Sequence, residues 1–115
     1  MITKFKKFFS KKETSIKVGT YVIIEPDKFG NTEEQQNFVR NNVGQVIRIL
    51  PNRNYYNHKV KYTNVPENLL GGYLHADSEI KNSPVIMRAN ITQMTHFSDN
   101  EEELEDILAA NKYNL

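Results

Sequence analysis

The chain has 115 residues, enough for one hydrophobic core and too few to divide comfortably into two, and its 38% apolar and 25% charged residues exclude wholesale disorder. A net charge of +1 gives, over the whole molecule, no case for a nucleic acid or a membrane surface. The lack of cysteine excludes a disulfide framework, a thiolate metal site and a cysteine nucleophile, and suits a reducing compartment.

Charge is distributed unevenly. Residues 1–13 carry Lys4, Lys6, Lys7, Lys11 and Lys12 against Glu13 alone, whereas residues 99–115 carry six acids against Lys112. In the first stretch Ile2, Phe5, Phe8 and Phe9 recur at helical spacing, which predicts a short amphipathic helix. Its lysines either form a cationic arm for phosphates, acidic lipid or an acidic partner, or are the solvated side of a helix that packs its aromatic stripe on the rest of the domain. Ser10-Lys11-Lys12 follows Phe8-Phe9 at once, so no apolar run is long enough for a signal peptide or a membrane span, and the expected location is the cytoplasm.

Ile16 to Glu25 predicts a first strand, with Gly19 as a bulge or bend and Pro26 ending it. After the loop Pro26 to Asn31, Thr32-Glu33-Glu34-Gln35 has the capping-box pattern that starts a short helix running to about Asn41. Val43 to Leu50 and Tyr55 to Tyr62, joined by Pro51-Asn52-Arg53-Asn54, predict a hairpin about which the other strands are arranged. In its second arm His58, Val60 and Tyr62 alternate with Lys59 and Lys61, which points the lysines outward. One helical turn follows Pro66 and stops at Gly71-Gly72, and Tyr73, Leu74 and Ile80 are the anchors of the stretch that comes next. Val85 to Phe97 predicts a strand pair or one long bent strand. Ser98-Asp99-Asn100-Glu101 predicts a second capping box, opening a helix with Leu104, Ile107 and Leu108 on one face.

Lys17-Val18-Gly19-Thr20-Tyr21-Val22, a long loop, Val43-Gly44-Gln45-Val46-Ile47-Arg48-Ile49 and Tyr56 through Val60-Lys61-Tyr62 resemble, in that order, the strands of small SH3-like barrels, including KOW-like and Tudor-like modules. The segment from Arg88 through His96-Phe97-Ser98 into Glu101 to Leu104 resembles the ending of small proteins of no assigned activity encoded by tailed bacteriophages. The resemblance implies an SH3-like β-barrel over 14–98, from which the helix near 32–41 and the stretch 66–84 depart; with the element reading this gives a mainly β chain with short helices, a basic arm over residues 1–13 and an acidic helix and tail over 99–115. Such barrels present a shallow aromatic groove and open sheet edges that take extended peptides.

Little in the chain suits catalysis. His58, His75 and His96 have no ligand spacing, and no nucleophile elbow, P-loop or dinucleotide fingerprint occurs. The expectation is therefore a non-enzyme without metal or cofactor, a binding module of phage or bacterial type that engages a protein partner, in the host cytoplasm if phage-encoded. The alternative is a nucleic-acid-binding protein using Arg48, Arg53, Tyr55, Tyr56, Lys59 and Lys61 on and near the hairpin together with the five arm lysines. Residues 14–98 hold nine basic and seven acidic side chains, a balance that favours the protein partner. The oppositely charged ends also allow a homo-oligomer.

Overall fold

A computed structural model describes residues 15–51, 55–76 and 84–113. The basic helix expected over residues 1–13 lies outside them, as do Arg53 and Ile80.

The described chain is mainly β, with two helices. Its strands are β1 (Tyr21–Ile24), β2 (Gly44–Ile49), β3 (His58–Tyr62), β4 (His75–Ala76), β5 (Val85–Ala89) and β6 (Met94–Ser98), and its helices are α1 (Glu33–Arg40) and α2 (Glu101–Tyr113). All six strands join one sheet in the order β4-β5-β3-β2-β1-β6, and every pairing is antiparallel. β5 and β6 follow one another in the chain yet flank β3 and β1, with three strands between them. Across a flat sheet they would lie about 19 Å apart, at roughly 4.8 Å per strand. Their link is only Asn90 and a 3-10 turn over Ile91–Gln93, too compact for that span. The sheet is therefore strongly curled, and the concave side holds the core.

Alternation decides what enters that core. On β3, His58, Val60 and Tyr62 are buried while Lys59 and Lys61 lie on the other face, as their spacing predicts. The central cluster adds Ile16, Val22, Ile24, Val39, Val46, Leu74, Met87, Ala89 and Met94. Gly44 is where β2 meets this packing: a Cβ there would lie 2.4 Å from Val60 Cγ1 and 3.0 Å from Tyr62 Cζ. No side chain fits without displacing one of them.

Three expected elements are corrected: the second arm of the hairpin begins at His58 rather than Tyr55, and the first strand and the cap of the last helix also differ. The first strand is shorter than Ile16 to Glu25, because Thr20 N–H bonds the Lys17 carbonyl at 3.0 Å and Gly19 takes a φ of +100°, making residues 17–20 a turn. In β2, Val46 opposes Val60 while Arg48 opposes Lys59, so Ile47 is the extra residue of a β-bulge, which explains the imperfect alternation of that strand. Ser98 does not cap α2, since it is the last residue of β6 and pairs with Tyr21. Asn100 takes that place: its Oδ1 accepts from the Glu102 N–H at 2.9 Å, while Ser98 Oγ accepts from the Asn100 N–H and donates to Glu103. Val85 to Phe97 resolves into a strand pair, β5 and β6, separated by the 3-10 turn.

Candidate partner-binding cleft

Three connections converge at one end of the sheet: the β1–α1 loop, the residues entering β3, and the turn before β4. Between them is a cleft of about 420 Å3 lined by Asp27, Phe29, Asn31, Tyr55, Tyr56, Tyr73 and Arg88, with Gly30 and Gly72 in its wall. Its rings are unusually open to solvent: Phe29 is 94% exposed, Tyr55 73% and Tyr56 41%. Large aromatic side chains displayed together are unfavourable in water unless something covers them, and they mark binding surfaces more often than chance.

The rim is held by polar contacts to backbone and side chains. Tyr56 is a non-glycine residue at φ +53°, a conformation that costs free energy unless its surroundings enforce it. Here its N–H donates to Asn90 Oδ1 and its O–H to Asp27 Oδ2, both at 2.5 Å, so one residue ties the first loop and the β5–β6 turn to the entry of β3. That bond to Asp27 raises the pKa of the Tyr56 phenol. On the first loop, the Asn31 side-chain amide donates to the carbonyls of Asp27 (2.9 Å) and Phe29 (3.1 Å), which fixes the turn that displays the Phe29 ring. At the back, Gln35 Nε2 donates to the Leu69 carbonyl at 2.8 Å and the Gly71 carbonyl at 3.0 Å, anchoring the segment that delivers Tyr73.

Behind the cleft surface, Asn31 Oδ1 and Tyr73 Oη are buried with no hydrogen-bond partner among the described residues. Leaving such groups unpaired costs about 1–3 kcal/mol each. Burial pushes the Tyr73 phenol far above its ordinary pKa, with Asp27 adding to the effect, so it stays protonated. The lining of the cleft itself carries both signs of charge, the Asp27 carboxylate and the Arg88 guanidinium.

The structure places the sequence-derived candidates in three groups. Tyr55 and Tyr56 line the cleft. Arg48 and Lys59 stand side by side on the outer face of the sheet, and Lys59 is also opposite Arg88, so the three form a row across β2, β3 and β5. Lys61 lies two residues along that face, in a smaller polar recess beside Glu101. Lys4, Lys6, Lys7, Lys11, Lys12 and Arg53 lie outside the described residues. Sequence reasoning missed Asp27, Phe29, Asn31, Tyr73 and Arg88. Phe29-Gly30 and Gly72-Tyr73 each put an aromatic next to a turn glycine, which was a usable signal for display on a loop, but nothing local brings the two together.

His58, His75 and His96 fall on β3, β4 and β6, and no group of three metal-binding side chains assembles among the described residues. None of the described helices is long and apolar enough to cross a membrane. No family model, no curated protein and no solved structure matches the chain.

Proposed function

We propose that this chain is a non-catalytic binding module of phage type, built on an SH3-like β-barrel, that engages an extended segment of a protein partner in the aromatic cleft. The observation that carries this is the joint exposure of Phe29, Tyr55 and Tyr56 around one cleft. An extended peptide supplies what the exposed rings lack, side chains that cover them. Support for the barrel is the strand order, with consecutive β5 and β6 on opposite flanks of the curled sheet, joined through a 3-10 turn. The cytoplasm of a host cell is the setting this proposal assumes.

A single-stranded nucleic acid is the second reading, favoured by the Arg48, Lys59 and Arg88 row beside exposed rings that can stack bases. The Asp27 carboxylate weighs against it, because a phosphate backbone brings negative charge to a cleft that already holds one.

Selection of a random twelve-residue peptide library on the immobilised full chain tests the proposal. Selected peptides should bind the wild type and lose about tenfold or more in affinity for Tyr55→Ala, the usual size of effect for a central aromatic anchor. Because Tyr55 is 73% exposed, that variant should keep the wild-type melting temperature. Peptides that bind both forms equally would place their site elsewhere.

A further inference from the structure

The outer face of the sheet carries a feature that the cleft alone does not use. Register puts Arg48 directly opposite Lys59, and Lys59 directly opposite Arg88. Residues directly opposed in an antiparallel pair project to the same side with Cβ atoms about 5 Å apart, where like charges repel and destabilise the sheet. The Ile47 bulge creates this row: with uninterrupted pairing Arg48 would fall opposite His58, on the core face. Lys59 in the middle has an interaction of its own. Among the described residues Arg48 and Arg88 have no ion pair, whereas Arg40 has one, with Glu25 at 2.8 Å. Arg88 belongs to both features, ending the row and lining the cleft.

Resting on the reading of the cleft as a peptide site, we infer that the bound segment is acidic on one side: it leaves the rings past Arg88 and lays carboxylates on Arg88 and Arg48. Geometry sets their spacing. With β3 between them, Arg88 and Arg48 start from strands about 10 Å apart. In an extended polyproline-II segment, residues three apart lie on one face at about 9 Å, so a pair of acids at that interval matches the two arginines. The two charged groups of the cleft then orient the ligand, its hydrogen-bond donors toward the Asp27 carboxylate and its acidic arm toward Arg88. A uniform polyanion satisfies the row but is repelled by the Asp27 carboxylate, which is why a mixed peptide is favoured over a phosphodiester strand.

The test uses the full chain, the random twelve-residue library, and a twelve-nucleotide oligodeoxythymidylate as the polyanion probe. Peptides selected by the wild type should be enriched in Asp and Glu, with pairs three residues apart. Binding of a synthesised example should weaken with salt and fall by up to about fivefold for each of Arg48→Gln and Arg88→Gln. Both variants should melt at or above the wild-type temperature, since each removes a like-charge contact; a clear drop would mean that the arginines support the fold and would overturn the assignment. If selected peptides show no acidic excess, or bind Arg48→Gln/Arg88→Gln unchanged while Tyr55→Ala still abolishes binding, the acidic partner is wrong and the cleft stands. If Tyr55→Ala binds as well as the wild type, both fail. Tighter binding of the oligonucleotide than of any selected peptide would also overturn the inference, in favour of phosphate.

Discussion

His58 lies within the core at 5% exposure, opposite Ile49 on one side and Ala89 on the other. Asn57 Oδ1 is 2.7 Å from Nδ1 and accepts from the Nδ1–H tautomer. Burial disfavours the imidazolium and holds the pKa below the ordinary 6.5. Between neutral pH and that lowered value the unfolded chain takes up a proton that the folded chain refuses, so stability is complete above about pH 6.5 and declines as pH falls below it. Urea unfolding at pH 7.5, 6.5 and 5.5 should show this decline in the wild type and a flatter dependence in His58→Gln; equal slopes would show that His58 titrates alike in both states. The burial of His58 was legible from its alternation with Val60 and Tyr62. Its neutrality was not, because desolvation depends on neighbours contributed by β2 and β5. Tyr62 is a similar case: strand alternation turned it inward, but its edge-on packing with Phe38, at 5.9 Å between ring centroids, joins residues from α1 and β3 that no local pattern connects.

At the scale of elements, local chemistry was readable and strand pairing was not. The Thr32 capping box forms as its pattern predicts, since it needs only residues within one turn: Thr32 Oγ1 accepts from the Gln35 N–H at 3.1 Å and Gln35 Oε1 accepts from the Thr32 N–H at 3.0 Å. The equivalent pattern at Ser98 failed because β6 claims that residue through its pairing with β1. Gln35 does more than cap. Its Nε2 satisfies two carbonyls of the distant 69–71 segment, and the side chain is buried. Thr32→Ala should therefore cost about 1 kcal/mol, the usual loss of a helix cap. Gln35→Ala should cost about 2–3 kcal/mol, because it also leaves the buried Leu69 carbonyl without its donor. Denaturant unfolding measures both, and an equal or reversed order would show that Gln35 acts only as a cap. Leu74 in the next segment is fully buried, as its apolar character suggested. The bulge at Ile47 left only a broken alternation in the sequence, and its consequence, a cationic row across three strands, follows from register alone.

Across the whole molecule, the cleft is assembled from segments that are remote in sequence. Phe29 comes from the first loop, Tyr55 and Tyr56 from the entry to β3, Tyr73 from the turn before β4 and Arg88 from β5. The adjacent tyrosines could be singled out as candidates from their position after a turn, but their companions became visible only once the sheet order brought β1, β3 and β5 to the same end. The mainly β class with short helices was legible from alternation, turns and caps; the convergence that defines the site was not. The central claim is that this convergence is where the partner binds. Its most direct test is a series of 15N–1H correlation spectra of the full chain during addition of a selected peptide. The account predicts that the largest shifts fall on Asp27 to Asn31, Tyr55, Tyr56, Tyr73 and Arg88. Shifts confined instead to β6 and α2, with these residues unmoved, would contradict it.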